Sequence, residues 1–137
     1  MILGGLYAIN NPDEIYALFE DRPNVKFYES PSVDENTLKV NYATNLSVSA
    51  RNYDEYSLSN IEVKLFVIKG GNWEEHLKFE STTNLAQNIS PGITTDKVLI
   101  PITATKLSGI ETPFTLKAEL YADGVQTDSY TFNLTIK

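Results

Sequence analysis

Apolar and polar residues alternate along most of the chain, and this period of two constrains the fold more than any other feature. In residues 37–50, the apolar residues, Leu46 and Val48 among them, share one parity, and the other parity is polar. Successive side chains of a β-strand point to opposite faces, so this pattern is typical of a strand with one buried face. The run is longer than an ordinary strand, and we expect a bend at Thr44 and Asn45.

Two further runs predict strands in the middle of the chain. Residues 61–67 alternate, and Phe66 and Ile68 add a second apolar face, which predicts an interior strand. Residues 98–104 alternate as well, but Pro101 lies among them. Because proline cannot donate a hydrogen bond to a neighbouring strand, we expect a sheet edge or a bulge at Pro101.

The segment between these two runs predicts a turn, a strand and a loop. Residues 70–72 read Gly-Gly-Asn and predict a turn, and the apolar residues within 73–79 predict another strand. Residues 81–87 are polar, which is typical of a loop. Residues 89–92 read Ile-Ser-Pro-Gly and predict a second turn.

Asp123 and Gly124 separate the last two alternating runs and predict a hairpin. A two-residue loop would place the apolar residues of the second run on the wrong face. A three-residue loop over 122–124, with a left-handed Gly124 as a bulge, pairs Leu116 with Tyr130 on the same face. We therefore predict the bulged hairpin. The count reaches about seven or eight strands without a helix between them, which predicts an antiparallel sandwich or barrel.

The first 23 residues follow a different pattern. Residues 1–9 carry no charge. With Asn11 as N-cap and Pro12 at the first helical position, the next stretch predicts a helix of about ten residues. We divide the chain into an arm and short helix, residues 1–23, and a β domain, residues 24–137. Two interpretations of the arm stay open, because it can pack on its own domain or on a neighbouring subunit.

Charge and residue counts exclude several classes of function. The 137 residues carry a formal net charge of -7 without a basic cluster, so we expect no nucleic-acid partner. The chain has no cysteine and a single histidine, His76, which removes thiol chemistry and most histidine-rich metal sites. We expect no metal and no cofactor, and we expect His76 to be an exposed strand residue.

Acidic residues occur in adjacent pairs, such as Asp54-Glu55 and Glu74-Glu75. Neighbours on a strand point to opposite faces, so these pairs do not flank one bond as the acid and base of a glycosidase must. The sequence also has no nucleophile elbow and no Gly-rich phosphate loop. It therefore predicts a protein that is not an enzyme.

The apolar run at the N-terminus does not have the pattern of a secretory signal. No Lys or Arg precedes Arg22, and Asn10 and Asn11 interrupt the run. The run is also about half the length of a membrane-spanning helix. We expect a protein that is synthesised in soluble, cytoplasmic form, does not bind membranes and is available for incorporation in a virion.

Three stretches resemble Ig-like modules of the CARDB and fibronectin III kind. They are residues 58–66 (Leu-Ser-Asn-Ile-Glu-Val-Lys-Leu-Phe), residues 89–92 (Ile-Ser-Pro-Gly) and residues 114–124, which end in Ala-Asp-Gly. In such modules a middle strand, a turn and a final hairpin follow in this order. The resemblance covers residues 37–137 and implies an all-β fold, an antiparallel Ig-like β-sandwich of about seven to eight strands, here with a short N-terminal helix and arm. It departs from antibody-type domains, since Trp73 follows the middle strand and no disulfide is present. The resemblance implies adhesion or assembly and transfers no catalytic residue.

Two hypotheses for the function follow. The first is a structural or interaction protein, an accessory or decoration component of a larger assembly such as a virus or phage particle. It docks through its arm and helix on a protein partner or on copies of itself, as a homo-oligomer. The second is a carbohydrate- or peptide-binding module that uses loop aromatics. The candidate interaction residues are Ile2, Leu3, Leu6, Tyr7, Ile15, Phe19, Tyr53 and Tyr56.

Overall fold

The structure, a computed structural model, describes residues 23–137, in which the chain forms eleven strands and one helical turn. The predicted arm and N-terminal helix lie outside the described residues, so the division at residue 23 stays a prediction. The elements are β1 (Val25–Phe27), β2 (Ser32–Val33), β3 (Thr37–Leu38), β4 (Ala43–Val48), β5 (Ala50–Asn52), β6 (Leu58–Lys69), α1 (Trp73–His76), β7 (Leu77–Lys78), β8 (Thr82–Ile89), β9 (Val98–Ala104), β10 (Thr112–Ala122) and β11 (Val125–Ile136).

The strands form two sheets and a separate two-stranded ribbon. The five-stranded sheet has the order β3-β11-β10-β6-β8, the four-stranded sheet the order β2-β4-β9-β7, and β1 pairs with β5. All pairs are antiparallel except the short β3–β11 pair. The predicted all-β sandwich is confirmed. Its core includes Leu46, Val48, Ile61, Val63, Leu65, Ile100, Ile102, Leu116, Leu120, Leu134 and Ile136. Each such side chain stabilises the fold by about 2 kcal/mol when buried.

The strand predicted over residues 61–67 is an interior strand, as expected. β6 pairs with β10 on one side and with β8 on the other. The second apolar face of β6 is not covered, since Phe66 and Ile68 are exposed on the outer side of the sheet. In β9, Pro101 pairs with Asn45 of β4, while β7 reaches only the last two residues of the strand. Among residues 23–137, β9 is therefore an edge at Pro101, as predicted.

Two of the predicted segments are wrong. The sequence predicts a loop over residues 81–87, but residues 82–87 lie in β8, an edge strand whose polar residues are exposed except for the half-buried Thr83. Residues 73–79 form a strand only at Leu77–Lys78, because the first four residues form α1 and Trp73 stacks on Phe79 with ring centroids 5.0 Å apart.

The bend expected at Thr44 and Asn45 lies elsewhere. Both residues belong to β4, and Thr44 is buried. The chain instead turns before β4, where Asn41 has a φ of 73° and Tyr42 donates its N–H to the Lys39 carbonyl oxygen at 3.0 Å. Asparagine tolerates this left-handed conformation better than most residues, so the turn forms at Asn41.

The loop of the β10–β11 hairpin is shorter than predicted. It contains two residues, Asp123 and Gly124, with φ values of 52° and 79°, and Ala122 pairs with Val125. Two successive positive φ angles are typical of the type I′ turn that joins twisted strands. The positive φ at Gly124 is confirmed, and the three-residue loop is wrong.

A bulge restores the side-chain parity that a two-residue loop would otherwise lose. The register shifts between Leu120 and Tyr121, so that Thr127 of β11 has no Cα partner on β10, although its hydroxyl donates to the Leu120 carbonyl oxygen at 3.4 Å. Beyond this bulge Leu116 pairs with Phe132, and not with Tyr130 as predicted. One extra residue moves every following side chain of β11 to the opposite face, which returns its apolar residues to the core.

His76 is not the exposed strand residue that the sequence predicted. It is the last residue of α1 and is buried. Its Nδ1 lies 2.8 Å from the Lys106 carbonyl oxygen, to which it donates, and its ring centroid is 5.8 Å from that of Phe114. A buried polar group needs such a partner, so His76 has a structural role.

Candidate functional site

The outer side of the β1–β5 ribbon carries the candidate functional site. In this ribbon Lys26 pairs with Arg51. Val25 and Ala50 are fully buried. Because side chains alternate along a strand, the residues of the opposite parity, including Tyr28 and Arg51, face outward.

Arg51 lies between two tyrosine rings. Its Cζ is 5.9 Å from the ring centroid of Tyr28 and 5.7 Å from that of Tyr53. At this separation a guanidinium is attracted to the face of an aromatic ring by about 0.5–1 kcal/mol at an exposed site. Arg51 Nη1 also donates to the Thr94 hydroxyl at 2.9 Å, which orients the guanidinium. We call Tyr28, Arg51 and Tyr53 the tyrosine–arginine cluster.

Asn52 holds the loop that carries the second half of the site. Its side chain is fully buried, and its Nδ2 donates to the carbonyl oxygens of Tyr56 and Ile89, both at 3.0 Å. Its Oδ1 accepts from the Asp54 N–H at 2.8 Å. One side chain therefore satisfies three backbone groups and fixes the path of the loop between β5 and β6.

The same loop is bonded to the backbone before β1. The Tyr53 N–H donates to the Asn24 carbonyl oxygen at 2.8 Å, and the Asn24 N–H donates to Asp54 Oδ2 at 2.7 Å. These bonds run in opposite directions between two short segments. They keep Tyr53 in line with β5, so its ring and Arg51 share one face.

β1 is attached to the sandwich where β11 bulges. Lys26 Nζ donates to the Thr127 carbonyl oxygen at 3.0 Å, and the Phe27 N–H donates to Asp128 Oδ2 at 3.0 Å. A bulge leaves backbone groups of its strand without a ladder partner. Here the Thr127 carbonyl oxygen and the Asp128 carboxylate anchor β1, the strand that leads to Tyr28.

The cluster is accessible, and among the described residues its cation has no acidic partner. Tyr28 is 40% and Tyr53 49% exposed, and Tyr56 and Ile93 nearby along the loops are exposed as well. Within residues 23–137, the ion pairs are Lys117–Glu119 and Lys137–Glu111, and none involves Arg51. The cluster thus offers one cation and two aromatic rings to a ligand.

The structure brings together only part of the predicted site. Tyr53 and Tyr56 are exposed in one loop before β6, and Trp73 follows the far end of β6, as the sequence predicted. Tyr28 and Arg51 were missed. The spacing of Arg51 and Tyr53, two residues apart, is a signal for a shared strand face, whereas Tyr28 joins them only through the β1–β5 pairing. The other predicted residues, Ile2, Leu3, Leu6, Tyr7, Ile15 and Phe19, lie outside the described residues.

The described residues show two further absences. Between residues 23 and 137, no three Asp, Glu or His side chains are grouped so that they could hold a metal ion. In the same range, no helix has the length and apolar character that crossing a membrane requires.

Comparison with known proteins identifies the fold but not a family. No protein-family model matches the chain, and no curated protein matches it in sequence. Solved structures match at low identity. A CARDB domain from Pyrococcus furiosus, crystallised in complex with di-metal ions, is 11% identical with a TM-score of 0.52, and the match covers 85% of this chain and 88% of that domain. The Ig-like resemblance seen in the sequence is confirmed.

Two larger proteins contain a similar fold. An alkylpurine DNA glycosylase from Pseudomonas fluorescens, bound to DNA with an abasic site analogue, is 10% identical with a TM-score of 0.55 over 90% of this chain. The alpha-2-macroglobulin of E. coli is 12% identical with a TM-score of 0.51 over 78% of this chain. The chain spans only 34% and 6% of these two proteins, so they share a fold with it and no more.

Proposed function

We propose that the chain is a non-enzymatic interaction module that binds a protein partner through the tyrosine–arginine cluster. The observation that carries this proposal is the position of Arg51 between two partly exposed rings, without a carboxylate partner in residues 23–137. Tyrosine and arginine are enriched among the residues that dominate binding energy at protein interfaces. Tyrosine also provides a large contact area at a low cost in side-chain entropy.

The partner that fits this cluster is a peptide segment with a carboxylate beside an apolar side chain. The carboxylate accepts hydrogen bonds from the guanidinium of Arg51, and such charge-assisted bonds are stronger than neutral ones. The apolar side chain packs on the ring of Tyr28 or Tyr53. Aspartate or glutamate next to a leucine or an aromatic residue provides both groups.

The role of the N-terminal arm is a further part of the proposal. The first sequence hypothesis has the arm and helix dock on a larger assembly, such as a virus or phage particle. The candidate interaction residues of the arm and helix all precede residue 23 and lie outside the described part of the chain. The Ig-like fold supports an interaction module of this kind by analogy, since such sandwiches present their loops to partners.

A carbohydrate ligand is the competing hypothesis for the cluster. Sugars pack on open faces of aromatic rings, and Tyr53 and Tyr56 are both exposed. Arg51, however, already lies over one face of Tyr53 and over one face of Tyr28. The position of this cation favours a carboxylate ligand over a neutral sugar.

Panning a displayed peptide library on the full chain tests the proposal. We expect enrichment of peptides with an acidic residue beside an apolar one. Arg51→Ala and Tyr53→Ala should each weaken binding of a selected peptide at least about tenfold, as loss of an interface hot spot does.

Tyr42→Ala is the matched control. Tyr42 is also an exposed tyrosine, but it precedes β4, whereas Tyr53 follows β5. Binding should be unchanged in this variant. Peptides that bind equally well to the wild type and to Arg51→Ala would contradict the proposal. Glycan-array binding that is lost in Tyr53→Ala would favour the carbohydrate hypothesis instead.

A further inference from the structure

Among the described residues, β8 is the longest of the strands that end the two sheets. β3 ends one side of the five-stranded sheet, and β2 and β7 end the four-stranded sheet, and each of these three strands has two residues. The remaining edge, β8, has eight residues. Short edge strands protect a protein from unwanted strand pairing, and a long edge offers a row of unpaired backbone groups.

β8 also lacks the residues that usually protect an edge. Its sequence is Thr-Thr-Asn-Leu-Ala-Gln-Asn-Ile, without a charged residue or a proline. The whole chain carries a net charge of -7, so most of its surfaces repel a second copy. At an uncharged edge such as β8, two copies meet with less repulsion than at the acidic surfaces.

The hydrogen bonds to β6 show which backbone groups of β8 point outward. The Leu65 N–H donates to the Ser81 carbonyl oxygen at 2.9 Å. In an antiparallel pair, alternate residues turn their backbone groups toward and away from the neighbouring strand. Ser81 therefore faces β6, and Thr82 and Asn84 present their N–H and C=O groups away from it.

In the second half of β8, the backbone N–H and C=O groups of Asn88 point outward. The Cα partner of Asn88 on β6 is Ser59. Ser59 exchanges hydrogen bonds with Asp123 on the opposite side, since its N–H donates to Asp123 Oδ1 at 3.1 Å and its carbonyl oxygen accepts from the Asp123 N–H at 2.8 Å. Because the backbone groups of Ser59 point away from β8, Ser59 and Asn88 form a non-hydrogen-bonded pair. The backbone N–H and C=O groups of Asn88 therefore point outward, away from β6.

We propose that β8 pairs antiparallel with β8 of a second copy of this chain. A symmetric register must oppose outward-facing residues with outward-facing residues. This condition is met when Thr82 lies opposite Asn88 of the second copy, which places the twofold axis at Leu85. Leu85, like Gln87, has no Cα partner on β6, and the β6–β8 register shifts beside Leu85, between Ile61 and Glu62. The strand is therefore divided at the axis, and each half pairs with the opposite half of the other copy.

This register suits the side chains as well as the backbone. It places hydroxyl and amide groups opposite each other, as in the Thr82–Asn88 pair, and cross-strand polar pairs of this kind stabilise a sheet. It brings no like charges together on the paired strands. The product is a continuous ten-stranded sheet made from two five-stranded ones. The surface is separate from the tyrosine–arginine cluster, so the two proposals can fail independently.

Light scattering after size-exclusion chromatography tests the dimer on the full chain. We expect a concentration-dependent dimer in the wild type. Asn84→Lys places a cation at the paired edge and should raise the dimer dissociation constant at least about tenfold. The monomer should tolerate this change, since Asn84 is exposed and its Cα partner on β6 is Glu62. Ser129→Lys adds the same charge at an exposed position of β11 and should leave the dimer unchanged.

A cysteine test locates the twofold axis in the cysteine-free chain. Two copies of Leu85 at a symmetric non-hydrogen-bonded position have Cα atoms about 4.5 Å apart, a distance that a disulfide can bridge. Leu85→Cys should form a covalent dimer on mild oxidation, and Ser129→Cys should not. A wild-type chain that stays monomeric at millimolar concentration, or a dimer that Asn84→Lys leaves intact, would overturn the proposal.

Discussion

The side-chain amide of Asn52 donates to the carbonyl oxygen of Ile89 at 3.0 Å, although the two residues are 37 positions apart in the chain. The same nitrogen donates to the Tyr56 carbonyl oxygen, and Oδ1 accepts from the Asp54 N–H. One buried side chain therefore connects the last residue of the edge strand β8 with the loop beside the tyrosine–arginine cluster. It is a structural link between the two surfaces for which we propose binding.

Replacement of Asn52 by alanine should destabilise the fold by about 3 kcal/mol, because it leaves three buried or half-buried backbone groups without partners. Urea unfolding followed by circular dichroism measures this loss. Asn24→Ala is the control, since Asn24 is exposed and only its backbone forms the bonds described above. Equal midpoints for the two variants would show that Asn52 is not the support of the loop.

Gly70→Ala should destabilise the fold by at least about 2 kcal/mol, through backbone strain and overpacking. Gly70 has a φ of 124°, and a Cβ at this position would overlap Cδ1 of the Phe114 ring. Thermal unfolding of the variant measures the effect.

Gly71→Ala provides the matched control for this substitution. A Cβ at Gly71 meets no atom within 4 Å. A surface change of this kind usually alters stability by less than about 0.5 kcal/mol. If both variants unfold at the wild-type temperature, the close approach of Gly70 to Phe114 does not exist in the protein.

Asp128→Ala should loosen β1 and with it Tyr28. The carboxylate accepts from the Phe27 N–H at 3.0 Å and from the Ser129 N–H at 2.9 Å. Loss of these charge-assisted bonds should cost about 2 kcal/mol. Hydrogen exchange should show faster exchange at the Phe27 amide. Asp96→Ala, at an exposed acidic residue, should leave that rate unchanged.

His76→Leu should destabilise the fold by about 1–3 kcal/mol, because the Lys106 carbonyl oxygen loses its donor in a partly buried site. Lys106→Ala removes the exposed side chain but keeps the carbonyl oxygen, and its stability should match the wild type. Chemical denaturation compares the two variants. A stable His76→Leu variant would mean that the histidine ring only fills space.

Side-chain parity is the part of the fold that the sequence predicts well. Leu116 and Leu134 are buried as the alternation indicates, because the face on which a side chain lies depends only on its neighbours in the strand. The pairing register of β10 and β11 does not follow from parity. Leu116 can pair with Tyr130 or with Phe132 without moving any apolar residue off the core face. The choice depends on the bulge at Thr127, whose carbonyl oxygen is bonded to the distant Lys26.

The parts that the sequence could not predict lack a local pattern. β8 lies at an edge, where Thr82 and Asn84 are exposed and few apolar residues mark the buried side, so the sequence pattern predicts a loop there. The candidate site was half predicted. Tyr53 was identified from its loop, but Tyr28 reaches Arg51 only because β1 pairs with β5. No periodicity in the sequence indicates that β1 pairs with β5.

The attachment of β1 to the bulge of β11 has a consequence for how fast the domain folds. The bond between Lys26 and Thr127 spans 101 positions. Closing so long a loop costs chain entropy before any contact compensates for it, and domains rich in such distant pairings fold in about milliseconds to seconds. Tyr28 follows the strand that this closure attaches, so in a nascent chain the cluster is not fixed to the sandwich until the distant strands have met.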